Sequence, residues 1–288
     1  MASLPQQLTS LSATLPRAGG WSHYVGMTSS QAHDEFKRGV WRIRIPAIGA
    51  FLVVAGLFLW LWDDSAWGMA AYVACVVAVA VAAVMALARN FQGLLDISNR
   101  DCDPQKLIEV VARLQEEDKR GGSANNLSLA YAVCSLNLGY DDVALQWLDQ
   151  VRFRKVPPRT AMTMLFMRAS IALNAGDVAT ARGLRDEIGA LRPSGKVSAE
   201  RDLALSMLDA RLALASGDVD TAREQVVRAA SLDPLPVQEV AIEYLAGLVE
   251  DASGNVEAAR SHMEVVVANA GTLALGERAR EYLAGMSS

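Results

Sequence analysis

From Ile45 to Trp62 the chain runs for 18 residues without a charge, and from Ala66 to Ala88 for another 23, with only Asp63, Asp64 and Ser65 between them. A helix needs about 20 apolar residues to cross the hydrocarbon of a bilayer. Each run reads as a span, and the acidic break as the tip of a helical hairpin. Beyond residue 100 apolar residues recur at helical spacing in short stretches separated by Gly, Pro, Asp and Asn, which predicts a succession of amphipathic helices. The pattern as a whole predicts an all-α protein in three parts. These are a Ser-, Thr-, Gln-, Gly- and Pro-rich tail over residues 1–35, a two-span hairpin over 36–92 (spans about 45–62 and 66–88), and a helical domain over 101–288. The tail has too little periodic apolarity to offset ordering and is expected to be disordered.

The flanks of the two spans predict a direction. Lys37, Arg38, Arg42 and Arg44 precede the first, Arg89 and Arg100 follow the second, and the connection holds only Asp63 and Asp64. By the positive-inside rule both termini face the cytoplasm of a cell membrane crossed twice. Trp60, Trp62 and Trp67 gather at the tip and Trp41 near the other end, where an indole ring favours the interface. Residues 1–30 lack a basic start joined to an apolar core, so the first span is expected to serve as the insertion signal. Gly68, Ala70, Ala71, Ala74, Ala78 and Ala82 make the second span rich in small residues. Such residues suit either close packing of the two spans or self-association.

In the third part a turn recurs: Gly139 in LNLGYDDVALQWL, Gly176 in LNAGDVATARGL, Gly217 in LASGDVDTAREQV and Gly254 in DASGNVEAARSHM, at separations of 37, 41 and 37 residues. Five places after each Gly stands an alanine (Ala144, Ala181, Ala222, Ala259), and seven places before each a small residue (Ala132, Ala169, Ala210, Gly247). A period of this size marks one supersecondary unit repeated. Glycine ends the first helix in the left-handed conformation, Asp or Asn after it can cap the second, and small residues let the two helices approach.

This pattern resembles the tetratricopeptide repeat, and with the spans in front it is similar to bacterial membrane-anchored proteins carrying such a domain. Pro193 and Pro234, each 17 residues beyond a Gly, add to the resemblance, which covers about residues 120–270. The large aromatic usual four places before the Gly is replaced by Ser135, Ala172, Ala213 and Glu250. The resemblance implies an α-solenoid of about four helix pairs whose first helices line a concave surface for a peptide or protein. Asn125, Asn126, Arg159, Arg168, Arg201 and Glu243 are candidates for that surface. Asp103-Pro104 predicts the start of a capping helix ending near Gly121-Gly122, and Thr272 to Met286 a second cap with Glu277, Arg278 and Glu281 on its wet face.

Charge and chemistry narrow the function. Acidic residues outnumber basic ones by 27 to 20 from residue 101 on, which argues against nucleic acid as a partner. Cys75, Cys102 and Cys134 are too scattered for a disulfide framework or a zinc site. His23 and His33 fall in the expected tail, and His262 is expected to be a partly exposed packing residue, with Glu264 pointing away from it. Cys102 lies near a helix start, but Asp101 and Asp103 oppose thiolate formation. No catalytic, cofactor-binding or metal-binding residues are assigned, and no enzyme is expected. In a domain otherwise acidic, Arg152, Arg154, Lys155 and Arg159 surround Pro157-Pro158. They are expected either to touch a partner or anionic headgroups, or to pair within a solvated loop. The expectation is a membrane-anchored interaction scaffold. The alternative is a regulatory or assembly subunit of a membrane enzyme or transporter that works through its spans. An enzyme with an unrecognised site is a third reading.

Overall fold

The computed structural model describes residues 20–60, 66–118, 121, 124–153 and 156–286. Twelve helices and no strand occur among them, so the chain is all-α. Its described residues fall into two compact units, one over Ser22–Asp96 and one from Ile97 onward together with residues 20–21. The acidic tip expected at Asp63-Asp64 lies outside the described residues, as do residues 1–19 of the expected tail.

Helices α1 (Ser29–Trp60) and α2 (Ala66–Asn99) are long and apolar enough to cross a membrane. Both outrun the expected spans. The tail boundary at 35 is corrected, because α1 already begins at Ser29, where the Thr28 hydroxyl accepts from Gln31 N–H and Gln31 Oε1 accepts from Thr28 N–H. His33, expected in the tail, is buried in α1, and His23 Nε2 lies 3.8 Å from Glu35. On α1 the partly covered side of the helix carries Phe36, Val40, Ile43, Ala47, Val54 and Phe58, and on α2 Tyr72, Val76, Val79, Ala83, Ala86 and Asn90. Most of these steps are three or four residues, so on each helix the partly covered residues form one stripe, the seam along which the two helices face each other. Phe58 stacks on Tyr72 at 4.2 Å between centroids, Phe36 meets Phe91 edge-on, and Asn90 Nδ2 donates to the Phe36 carbonyl. Ala70, Ala71, Ala74, Ala78 and Ala82 are exposed and lie outside this seam. These five alanines are therefore not what joins the spans; the contacts are made by Phe58 with Tyr72 near one end and by Phe36 with Phe91 and Asn90 near the other.

The second unit holds α3 (Pro104–Glu117), four helix pairs, and α12 (Ala274–Met286). The pairs are α4 (Ala124–Asn137) with α5 (Asp141–Gln150), α6 (Pro158–Asn174) with α7 (Val178–Ala190), α8 (Lys196–Ala215) with α9 (Val219–Ala230), and α10 (Pro236–Ala252) with α11 (Val256–Asn269). Each pair packs against the next in chain order. All four bends fall on the repeated glycines, whose φ values are 81, 78, 77 and 79°. The same two bonds close each bend. N–H groups of Tyr140, Asp177, Asp218 and Asn255 donate to the carbonyls of Ser135, Ala172, Ala213 and Glu250, while the glycine N–H groups donate to residues 136, 173, 214 and 251. This is the Schellman arrangement, which satisfies carbonyls the helix end would otherwise leave open. Asp177 and Asp218 then cap the second helices by accepting from Thr180 and Thr221 N–H. Asn255 makes no cap; its amide donates to Glu250 at 2.6 Å.

The recurring alanines explain the pairing. Ala144, Ala181, Ala222 and Ala259 have no exposed surface, nor do Ala132, Ala169 and Ala210 opposite them. At Gly247 a β-carbon would lie 2.7 Å from Met263 Cε and 3.3 Å from His262 Cβ, so this crossing admits glycine alone without adjustment. The one long interval, 41 residues, is taken up largely by α8, at 20 residues the longest helix of the unit. Asp103 caps α3 through Lys106 N–H with Pro104 in the first turn, as its sequence predicts, but the helix ends earlier than expected, at Glu117. In α12 Glu277, Arg278 and Glu281 are exposed and Ala279 is buried.

Candidate interaction site

The two helices of a pair bury themselves differently. Along the second helices the buried residues form one stripe: Ala222, Val226 and Ala229 on α9, and Ala259, His262, Met263 and Val266 on α11. In the bodies of the first helices, over 127–137, 160–173, 201–214 and 236–250, no residue is exposed. Helices covered on every side, fully or in part, form an inner layer. The second helices and the turns supply the outer surface, where Tyr140, Val143 and Val256 stand exposed.

The six candidate surface positions on the first helices are mostly engaged within the domain. Glu243 is corrected: it is 2% exposed and its Oε2 lies 2.7 Å from His262 Nδ1. His262, expected to be partly exposed, is likewise buried, at 1%. A carboxylate and an imidazole on neighbouring helices satisfy each other, which is what permits both inside. Asn125 holds the next connector by accepting from Arg152 N–H and donating to the Arg152 carbonyl, both at 2.7 Å. Arg168 pairs with Asp149 at 2.6 Å, and Arg201 donates to the Leu191 carbonyl and to Asp202. Asn126 is exposed.

Two of the four loop cations are described. Arg159 pairs with Glu200 at 2.6 Å, and the Arg152 guanidinium donates to the carbonyls of Asp149 and Val151 at the end of α5. Positive charge is favourable at a helix C-terminus. Arg154 and Lys155 lie outside the described residues.

Sequence reasoning missed a polar chain across the ends of the first helices, near the bends. Arg211 of α8 donates to Asn174 Oδ1 at 2.7 Å and to the Ser170 carbonyl, and Asn174 Nδ2 donates to Asp141 at 2.9 Å, so three successive helix pairs are tied by one network. Burial lowers the Arg211 pKa, the nearby Arg278 of α12 adds to that, and Asp141 and Tyr244 oppose it. An arginine in an Ala- and Leu-rich helix was the available signal.

A second carboxylate, Glu250, is 4% exposed and receives hydrogen bonds from Asn255 and Arg223. Cys102 is buried among Val240, Met263, Val266, Ala270, Leu273 and Ala279. Burial also raises the Cys134 thiol pKa well above its ordinary value. Among the described residues no group of three His, Cys, Asp or Glu side chains is placed to hold a metal ion. The chain matches no protein-family model, no curated protein and no solved structure.

Proposed function

We propose that this chain is a membrane-anchored scaffold for protein–protein interaction: two spans hold a tetratricopeptide-like array at the cytoplasmic face of a cell membrane, where it receives a protein or peptide. The observation that supports the reading is the fourfold repetition of one glycine-closed bend, which gives four helix pairs the same turn, in a chain that also carries two helices of spanning length. Repeated pairs build an extended surface, and tethering raises its effective concentration near membrane partners. Because the first helices are covered along their bodies, the second helices and turns are the surface assigned to the partner.

The second reading, a regulatory or assembly subunit acting through its spans, draws support from Ala70, Ala74, Ala78 and Ala82, which face away from the hairpin seam and would let another helix approach or a second copy associate. Proximity labelling in the native membrane separates the two. A labelling enzyme is fused to the C-terminus of the full chain and of its Ala74→Leu, Ala78→Leu variant. Retention of the same specific neighbours supports the scaffold, and their loss in the variant transfers the contact to the spans. Absence of specific neighbours from both overturns the scaffold.

A further inference from the structure

The two ends of the helical domain meet. Thr272, at the entry to α12, donates from its hydroxyl to Asp103 Oδ1 at 3.0 Å and accepts from Gln105 N–H at 3.3 Å, while its own N–H donates to the Cys102 carbonyl at 3.0 Å. Beside it Gly271, at φ 55°, lies so near that a β-carbon there would sit 2.4 Å from the Cys102 oxygen. Gly139, in the first bend, leaves room for the Ala274 methyl, 3.2 Å from where a β-carbon would stand. Cys102 also has φ 55°, a left-handed backbone that a residue with a β-carbon resists and that persists only when its surroundings impose it. Here they do so through the Thr272 bond and the burial of the side chain, 1% exposed.

The position in the chain gives this contact its meaning. Helix α2 runs to Asn99, and three residues later Cys102 is bound to the opposite end of the array. The polar bonds of Asp103, Gln105 and Thr272 are exposed, so water can replace them at modest cost. We infer that Cys102–Gln105 and Gly271–Leu273 form a clasp through which the segment leaving the second long helix and the last helix, α12, open and close as one unit. Displacement of the segment 97–102 pulls on the anchor of α12, and displacement of α12 acts back on that segment. This holds whichever surface receives a partner.

Amide hydrogen exchange by mass spectrometry on the full chain in detergent micelles tests the clasp, with Thr272→Val removing the hydroxyl bonds and Thr272→Ser retaining them. The expected result is a rise in exchange of roughly five- to tenfold, the worth of one to two such bonds, at residues 102–107 and 274–279 together in Thr272→Val. Thr272→Ser and the amides of α6–α9 should match the parent. A rise confined to residues 271–279, no rise, or an equal rise throughout α6–α9 would overturn the coupling.

Discussion

Glu243 Oε2 lies 2.7 Å from His262 Nδ1 with both side chains almost wholly buried, so the crossing of α10 and α11 depends on each for the other's hydrogen bond. Removing one partner strands a polar group inside. Glu243→Ala and His262→Ala are each expected to destabilise the domain by about 2–4 kcal/mol, and Glu243→Met with His262→Leu together by less than the sum of the single changes. Urea unfolding of the full chain in detergent, followed by helical circular dichroism, measures this. Additive losses would show that the two side chains do not act as a pair.

Two glycines of the same domain should answer to alanine in opposite directions. Gly217 closes a bend at φ 77°, where a β-carbon costs about 1–2 kcal/mol even though nothing crowds it. Gly183 lies on the exposed side of α7 in ordinary helical backbone with open space around it, so alanine there gains helix propensity of about 0.5–1 kcal/mol. The midpoint of thermal unfolding should fall in Gly217→Ala and rise in Gly183→Ala.

Acid should weaken two of the four bends before the others. Hydrogen bonds from Thr180, side chain first and then backbone, hold the Asp177 carboxyl below its ordinary pKa, and those from Thr221 do the same for Asp218. A carboxyl whose pKa is lower folded than unfolded stabilises fully above its unfolded value of about 3.9 and loses that contribution as pH falls through its folded value. Asparagine caps a helix without titrating. The double variant Asp177→Asn, Asp218→Asn is therefore expected to show a flatter fall in unfolding midpoint below about pH 4 than the parent. An identical fall in both would place the acid sensitivity elsewhere.

What could be read in the sequence was what depends on neighbours in the chain. The bends at Gly139, Gly176, Gly217 and Gly254 need only a left-handed residue and bonds within six positions, and Asp103-Pro104 carries its own cap. The two long apolar runs announced helices of spanning length, but not where those helices end. Which side of each helix meets another depends on residues far apart: Glu243 looked like a surface charge because His262 lies 19 positions away, and Arg211 finds Asn174 only when two pairs stack. Small residues misled for the same reason. In the helical domain they lie in the crossings, whereas in α2 Ala70, Ala71, Ala74, Ala78 and Ala82 face outward.

That contrast sets the last expectation, at Gly39, a small residue that does lie between α1 and α2. A β-carbon at Gly39 would come within 2.6 Å of Asn90 Oδ1, and Asn90 in turn donates to the Phe36 carbonyl, so the glycine keeps this end of the hairpin closed. Gly39→Val must displace the amide, and the loss of both the bond and the close approach separates the helices locally. Phe36 and Phe91 meet here at 6.4 Å between ring centroids. With cysteines replacing these two phenylalanines in the full chain, oxidative cross-linking in membranes should be efficient, and adding Gly39→Val should reduce it several-fold. Ala74→Leu, outside the seam, should leave it unchanged. Equal cross-linking in all three chains would mean that the seam does not rest on Gly39, and a loss caused by Ala74→Leu would return the alanine stripe to the interface between the two helices.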